Sequence, residues 1–318
     1  MLIYILRRVL AGAVLLWISI TIIFLMLQLI PGDPAYQILA GDGSDPSPEA
    51  VANLREQLGL DRPGPERYIS YLVGVVSFDF GNSFVFSTPV ESLLGPRLAV
   101  TLELALFALI VGTFLGTFIG SLAARAKGIV DTVLSALLSI GISIPVYVVG
   151  ALLILVFALK LGWFPAGSFE PITGDVAEHF RRIVLPVLAL SIPVSSVVGR
   201  MARSSMLENI QQDWVRTARS WGLSPNTVFN RHVLRNSMIP VTSVAGLEAG
   251  ALIGSTVVVE RIFNLPGIGS LLIDSVNDRD YPVVQAVVIV VCISFVVLSI
   301  AVDVIYGILD PRVRRRAA

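Results

Sequence analysis

The sequence predicts an all-α polytopic membrane protein with six transmembrane helices, and three observations lead to this fold class. Of the 318 residues, 55% are hydrophobic and only 14% are charged, whereas a soluble domain carries about 25% charged residues. The mean hydropathy is +0.81. Several uncharged runs also exceed the roughly 18 residues that mark a membrane span. The chain is therefore expected to lie in a lipid bilayer.

Six apolar segments are long enough to cross that bilayer: residues 9–30, 98–123, 131–159, 183–203, 237–259 and 283–309. At about 1.5 Å per residue each covers about 30 Å of hydrocarbon, the fourth only just. The first run is too long for the apolar part of a signal peptide and lacks a small-residue cleavage site, so we interpret it as a retained span. Pro145, Pro186 and Pro193 predict kinks in the third and fourth spans.

The placement of basic residues predicts the orientation of the chain. If the N-terminus is cytoplasmic, the outer segments hold sixteen of the 23 acidic residues. The cytoplasmic segments then hold fourteen of the 23 basic residues: Arg7, Arg8, Arg125, Lys127, Arg200, Arg203, Arg216, Arg219, Arg231, Arg235, Arg312, Arg314, Arg315 and Arg316. Because Lys and Arg concentrate on the cytoplasmic side of membrane proteins, both termini are expected there.

These assignments divide the chain into three parts. Residues 1–30 form an N-terminal tail and the first transmembrane helix, residues 31–97 an extracytoplasmic loop region, and residues 98–318 a five-helix core. The core contains a cytoplasmic loop at 204–236 and an extracytoplasmic loop at 260–282. In the latter, a Pro-Gly turn precedes a short helix and an acidic stretch.

The first outer loop also contains a predicted helix, in the stretch SPEAVANLREQLG. Ser47 is a suitable N-cap residue, and Pro48 suits the first turn. Gly59 lies just past the expected end of this helix.

The cytoplasmic loop is the longest basic insert, and residues 213–240 read DWVRTARSWGLSPNTVFNRHVLRNSMIP. Gly222 interrupts a run without helix breakers, and Ser224 followed by proline restarts a helix. Phe229 and Val233, four residues apart, give this second helix an apolar edge. The pattern predicts helix, bend and helix parallel to the membrane, which suits docking of a cytoplasmic partner. A positively charged topology anchor is the alternative.

Several motifs resemble those of one family. Arg216-Thr217-Ala218 followed by Gly222 resembles the cytoplasmic loop of ABC importer permeases, although the general motif begins with a glutamate where this chain has Arg216. An ion pair of that glutamate is therefore not carried over. Further segments resemble the dipeptide/oligopeptide/nickel permease family in order along the chain: PGDP at 31–34, LGLDRP at 58–63, DFGNSF at 79–84, TLELA at 101–105, DWVRTARSWGLS at 213–224, RHVLRNSMIP at 231–240, PGIG at 266–269, DRDYP at 278–282 and LDPRVRR at 309–315.

The resemblance implies a type I ABC importer permease, the first permease of an ATP-driven importer of short peptides in the bacterial cytoplasmic membrane. Its partners would be a second homologous permease, two cytoplasmic ATPases that bind ATP and Mg, and an extracytoplasmic solute-binding protein. A nickel chelate, glutathione or a sugar is the alternative cargo. The residues that the resemblance assigns to ATPase coupling are Arg216, Thr217, Ala218, Arg219, Gly222, Ser224, Arg231 and His232.

The sequence carries no pattern for chemistry of its own. No GxxxxGK[ST] motif is present, so this chain is expected neither to bind ATP nor to act as an enzyme. His179 and His232 fall on opposite sides of the membrane without Cys or His at ligand spacing, so no metal or other cofactor is expected. No nucleic-acid partner is expected either. The alternative class is a channel or secondary transporter that works without an ATPase.

Three acidic residues lie within the spans: Glu103, Glu248 and Asp303. A charge at mid-membrane costs roughly 2.5–3.5 kcal/mol on insertion scales, so each needs a partner or water. Glu248 is the most central, and we hypothesise that it lines the translocation path. A buried pair or hydrogen bond with a neighbouring span is the alternative. Glu103 and Asp303 are nearer the span ends and are expected to be interfacial or structural.

Two spans carry glycine at every fourth position, a spacing that predicts a flat helix face for close packing. At about 100° per residue, Glu248 lies about 200° around its helix from the first glycine, so it is expected to face away from them. The glycines are Gly112, Gly116 and Gly120 in the second span and Gly246, Gly250 and Gly254 in the fifth.

Overall fold

A computed structural model gives the fold, and it describes residues 2–28, 34–40, 46–57 and 61–309. Within these ranges the only β pairing is an isolated antiparallel bridge between Asn82 and Pro89. The predicted all-α class is therefore confirmed.

The described residues form thirteen α-helices: α1 (Leu2–Gln28), α2 (Pro34–Leu39), α3 (Pro48–Gln57), α4 (Gly64–Ser77), α5 (Val90–Arg125), α6 (Ile129–Ser143), α7 (Val146–Leu153), α8 (Val176–Ile210), α9 (Asp213–Ser220), α10 (Pro225–Thr227), α11 (Leu234–Ile262), α12 (Ile268–Asn277) and α13 (Tyr281–Leu309). Two π-helical segments add to them. Ile154–Lys160 continues α7, and Val228–Val233 joins α10 to α11.

Five helical stretches of the described chain are long and apolar enough to cross a membrane. They are Leu6–Met26, Val90–Arg125, Val176–Ile210, Pro225–Ile262 and Tyr281–Val302. The third predicted span consists instead of α6 and of α7 with its π segment, whose axes are bent by 104°. The six predicted spans are thus five helices and one bent pair.

The break between α6 and α7 follows from Pro145. The residue before a proline is pushed out of the helical region, and Ile144 has φ −84° and ψ 124°. Pro145 itself lacks the N–H that would continue the helix. The structure therefore has a complete break where the sequence predicted a kink. In contrast, α8 continues through Pro186 and Pro193 without interruption.

The chain forms two compact units, and the first contains the described residues within 1–8, 99–270 and 297–318. Its centre is α8, which packs against α6, α7 and α11. Leu190, Val194 and Val198 of α8 are almost completely buried. The core thus lies around the fourth span, the one whose predicted length was marginal.

The second unit contains the described residues within 9–98 and 271–296. Ile20 of α1 packs with Val75 of α4 and Ile289 of α13. Tyr71 of α4 stacks at 5.6 Å on a phenylalanine of α1, and burial raises the pKa of its hydroxyl. Most of the first span therefore shares a unit with the described part of the outer loop region.

The short helices predicted in the two outer loops are present. In α3 the Ala50 N–H donates to Ser47 Oγ at 3.3 Å, so the predicted N-cap is confirmed. Gly59 lies outside the described residues. The helix predicted after the second Pro-Gly turn is α12.

A buried aspartate joins two of the sequence motifs within the second unit. Asp280 of DRDYP is 1% exposed. Its carboxylate accepts hydrogen bonds from the Ser83 hydroxyl and from the N–H groups of Phe84 and Val85, the latter two at 3.2 and 3.4 Å. Asp280 therefore holds the turn that contains DFGNSF, although the two motifs are far apart in sequence.

Candidate functional site

Gly222 forms a tight turn at the end of α9. Its φ is +86°, in the left-handed region that glycine adopts without penalty. The Gly222 N–H donates to the carbonyl of Arg219 at 2.9 Å, and the Leu223 N–H donates to the carbonyl of Ala218 at 3.3 Å. No atom of the described residues lies within 4 Å of a methyl group placed on Gly222. The backbone conformation, rather than space, therefore requires glycine here.

Ser224 begins the next helix, as its sequence context predicts. The Thr227 N–H donates to Ser224 Oγ at 3.2 Å, and Pro225 occupies the first turn. This helix does not end within the loop, because α10, the π segment and α11 form one stretch from Pro225 to Ile262. The prediction of a separate second helix parallel to the membrane was therefore wrong. The segment is the beginning of the fifth span.

The apolar edge of that segment is also not a docking surface. Phe229 and Val233 are 8% and 1% exposed and belong to the core of the first unit. Burial of an apolar stripe against its own chain is the usual way in which an amphipathic helix is stabilised. The spacing of these two residues does give the helix an apolar edge, but this edge packs against the core of the same chain rather than against a partner protein.

Most side chains assigned to coupling are solvent-exposed around the Gly222 turn, whereas Ala218 and His232 are half-buried. Trp221 is 80% exposed, and the sequence analysis missed it. A tryptophan beside the turn glycine in a polar run was the available signal. The exposed residues of the assigned set are Arg216, Thr217, Arg219, Gly222, Ser224 and Arg231.

Two exposed arginines and two exposed apolar side chains make one surface, which we call the α9 surface: Arg216, Arg219, Trp221 and Leu223. Arg216 Nη1 lies 3.8 Å from Asp213 Oδ1, and these side chains are 82% and 97% exposed. An ion pair as exposed to solvent as this one contributes little to the stability of the fold. The α9 surface thus combines positive charge with an exposed aromatic ring.

The segment that carries the α9 surface is fastened to the spans. Val215 is buried, and the Trp214 and His232 rings meet edge-on at 6.5 Å. Arg125, at the end of α5, donates to Asn230 Oδ1, and its guanidinium lies 3.9 Å from the centre of the Phe229 ring. The ring contact attaches α9 to the beginning of the fifth span, and the contacts of Arg125 attach that span to α5.

Glu248 lies near the middle of α11 and borders a small crevice. The crevice has a volume of about 40 Å³ and is lined from α7, α8 and α11, with Pro193, Ser255 and aliphatic side chains as its walls. Glu248 is half-buried. Among the described residues it has neither a hydrogen bond nor an ion pair.

Of the other two acids of the spans, Glu103 has a side-chain partner within the described chain, unlike Glu248. Glu103 Oε1 lies 2.8 Å from His179 Nε2, and His179 Nδ1 lies 2.6 Å from the carbonyl oxygen of Glu170. His179 is completely buried, so Glu103 is part of a packed polar cluster. The side chain of Asp303 lies outside the described part of the chain.

Glu260 was missed as a buried acid because the sequence places it in a loop. It is 0% exposed. Its carboxylate accepts hydrogen bonds from Thr101 Oγ1 at 2.6 Å and from the N–H groups of Gly269 and Ser270 at 2.7 and 3.1 Å. The Ile268 N–H donates to Thr101 Oγ1 at 2.9 Å. This cluster joins TLELA to PGIG at the beginning of α12.

The glycines of the second span lie against α8. A methyl on Gly112 would be 2.8 Å from the side chain of Val194, and one on Gly116 would be 2.5 Å from a backbone oxygen of α8. A methyl on Gly120 would likewise be closer than 3.0 Å to the backbone oxygen of Gly199. These three positions allow close approach of two helix backbones.

The glycines of α11 are not equivalent to one another. A methyl on Gly246 would meet the side chain of Val302 in α13, and Gly250 is half-buried. At Gly254 no atom of the described chain lies within 4 Å of such a methyl. The close packing predicted for this seam therefore stops short of Gly254.

Two solved structures of ABC transporters share the fold of this chain. The solved structure of the MetNI methionine ABC transporter in an inward-facing form superposes with a TM-score of 0.54 at 17% identity, over 66% of this chain and 93% of that chain. An amino acid ABC transporter gives a TM-score of 0.52 at 18% identity, over 68% and 94% of the two chains.

The chain belongs to the family of binding-protein-dependent transport system inner membrane components, whose model matches residues 112–315. The model for the N-terminal part of such components matches residues 1–105. A probable peptide ABC transporter permease of Sinorhizobium fredii is 38% identical over 98% of this chain and 99% of its own length. A glutathione transport system permease of Salmonella choleraesuis is 39% identical over 99% of each.

The chain is therefore an ABC importer permease and a multi-pass protein of the inner membrane. Permeases of this family are not themselves ATPases, and they work with ATPase and binding-protein partners.

Proposed function

We propose that this chain forms the translocation path for short peptides and couples it to two cytoplasmic ATPase subunits. A second homologous permease completes the path, and an extracytoplasmic solute-binding protein delivers the cargo. Both termini and the α9 surface lie in the cytoplasm, as the distribution of Lys and Arg indicates. The observation that carries the proposal is the continuity of the Gly222 turn with the fifth span.

Because this segment is continuous with the fifth span, it transmits movement of α9 to that span. From Pro225 to Ile262 the helix runs for 38 residues, about 57 Å at 1.5 Å per residue. A displacement at α9 therefore passes through the Gly222 turn into one continuous helical stretch that reaches the level of Glu248. The contacts of Arg125 with Asn230 and Phe229 carry the same displacement to α5.

The chemistry of the α9 surface suits a groove on the ATPase that is both acidic and apolar. Arg216 and Arg219 supply positive charge, and the exposed ring of Trp221 supplies an apolar anchor of the kind that dominates protein interfaces. ATP and Mg are bound by those partners, because this chain has no phosphate-binding loop. The chain contributes the docking surface and the path.

Peptides are proposed as the cargo because the relative from Sinorhizobium fredii is named a probable peptide permease and aligns over nearly its whole length. Glutathione is the second candidate, since the permease from Salmonella choleraesuis is equally similar. Glutathione is itself a small peptide, so one type of path serves both.

Charge reversal on the α9 surface tests the proposal. We expect the Arg216→Glu/Arg219→Glu double variant to lose most of the peptide-stimulated ATP hydrolysis of the reconstituted complex, because like charges then face the acidic groove. Lys160→Glu is the control. Lys160 is an exposed basic residue at the end of the π segment that follows α7, and it is not part of the α9 surface. Equal ATP hydrolysis by the double variant and the control would refute the docking role.

A further inference from the structure

We propose that Glu248 binds the free ammonium group of the peptide as it crosses the membrane. This inference rests on the proposed function and names the chemical group of the cargo that the path recognises. It would make Glu248 a residue that determines specificity within the permease itself, separate from selection by the solute-binding protein.

The unpaired state of Glu248 is the first reason. Three other acids in the helices of the first unit have partners: Glu103 meets His179, Asp131 accepts two hydrogen bonds from Arg203 at 2.8 Å, and Glu260 accepts three from donors around it. Glu248 has none among the described residues. A carboxylate at this depth costs roughly 2.5–3.5 kcal/mol on insertion scales. Binding of a cation beside the carboxylate offsets this free-energy cost.

The lining of the crevice is the second reason. Apart from Glu248, the described residues of its walls carry no charged side chain. The Ser255 hydroxyl donates to the carbonyl of Ala251 at 3.1 Å, so it is engaged with its own helix. Among the described residues, the crevice therefore presents a single negative charge against aliphatic walls and Pro193, with no competing group.

The size of the crevice selects the ligand group. A volume of about 40 Å³ accommodates a few water molecules, each of which needs roughly 10–15 Å³ by this kind of measure. It also accommodates a primary ammonium group, with three N–H donors and one positive charge. The end of a peptide, rather than its middle, fits the site.

The chemistry of the candidate cargoes agrees with this choice. Short peptides of any sequence share a free ammonium group, and glutathione has one as well, whereas a sugar does not. One carboxylate therefore serves many cargoes. Because Glu248 is only half-buried, its ion pair with the cargo is weak enough for release, as transport requires.

The test compares uptake of a free tripeptide with uptake of the same peptide acetylated at its N-terminus. Both are measured as ATP-driven uptake into proteoliposomes that contain the complete importer, with an excess of its binding protein. For the wild type and Glu248→Gln, the quantity of interest is the ratio of kcat/KM for the free peptide to that for the acetylated one. Any preference of the binding protein is common to both samples, so it cancels in the comparison.

We expect Glu248→Gln to lower this ratio by about fivefold, the upper range for a partly exposed ion pair. Glu103→Gln is the matched control, because this span acid already has His179 as a partner. It should leave the ratio unchanged. A structural role of Glu248 would lower uptake of both peptides equally, and that result would overturn the proposal.

Glu248→Asp provides a second test in case the neutral variant Glu248→Gln does not fold. It keeps the charge but withdraws the carboxylate by one methylene group, so we expect a ratio between those of the wild type and Glu248→Gln. A ratio equal to that of the wild type would count against the site. If the wild-type importer takes up neither peptide, the proposed function fails instead, so the two failures are distinguishable.

Discussion

Glu260 is the residue on which the beginning of α12 depends most. Glu260→Ala would remove the hydrogen bond from the Thr101 hydroxyl and would take the acceptor away from two buried N–H groups, those of Gly269 and Ser270. Each buried donor left unpaired costs roughly 1–3 kcal/mol. We expect the Tm of the purified chain to fall by at least about 5 °C, measured by thermal unfolding in detergent.

Two further variants make this result interpretable. Glu260→Gln retains one carbonyl oxygen for the N–H groups of Gly269 and Ser270, so its Tm should lie between those of the wild type and Glu260→Ala. Glu66→Ala removes an exposed carboxylate from α4 and should leave the Tm unchanged. Equal values for Glu260→Ala and Glu66→Ala would show that the hydrogen bonds of Glu260 contribute no stability.

At the scale of helices, the approach of α5 to α8 depends on the absence of side chains at the glycines. A methyl on Gly120 would lie closer than 3.0 Å to a backbone oxygen and to the side chain of Ala202. Since backbone atoms of two packed helices have little freedom to move, we expect Gly120→Ala to lower the Tm of the chain. Overpacking of this kind typically costs about 1–3 kcal/mol.

Gly254→Ala is the matched control for Gly120→Ala. Both glycines lie inside spanning helices, but a methyl on Gly254 meets no described atom within 4 Å. Alanine is the better helix former by up to about 1 kcal/mol, so the Tm should stay the same or rise slightly. Equal decreases for the two variants would indicate that helix packing does not distinguish the two positions.

Local features of these elements were predictable from sequence because local chemistry determines them. A glycine after α9 and Ser-Pro at the next helix start indicate a turn and an N-cap, and Gly222 and Ser224 have those conformations. Hydropathy likewise located the spans, although the helix of the fifth begins at Pro225 rather than at residue 237. The severity of the break at Pro145 was not predictable, because a proline in an apolar run is compatible with either a kink or a break.

Features that depend on distant partners were not predictable. The stripe of Phe229 and Val233 has the same periodicity whether it meets a partner protein or the chain's own core. Glu260 reads as a loop acid, since its hydroxyl donor Thr101 lies 159 positions away in sequence. TLELA and PGIG each resemble a family motif, but only the fold shows that one carboxylate joins them.

At the scale of the whole subunit, one helix links the proposed sites. The stretch from Pro225 to Ile262 begins at the Gly222 turn, carries Glu248 near its middle and reaches Glu260 near its end. About 35 Å of helix separates Pro225 from Glu248 at 1.5 Å per residue. Movement of the α9 surface by an ATPase would therefore reach both the path and the Glu260 cluster without an intervening break.

ATP hydrolysis by the affinity-purified, reconstituted complex is the most direct test of this coupling. The complex would be supplied with its binding protein and a series from dipeptides to octapeptides, followed by glutathione. We expect the ATPases to accompany this chain through purification, and peptides to stimulate hydrolysis. If no ATPase accompanies the chain and uptake continues without ATP, the α9 surface is not a coupling element and the chain transports by another mechanism.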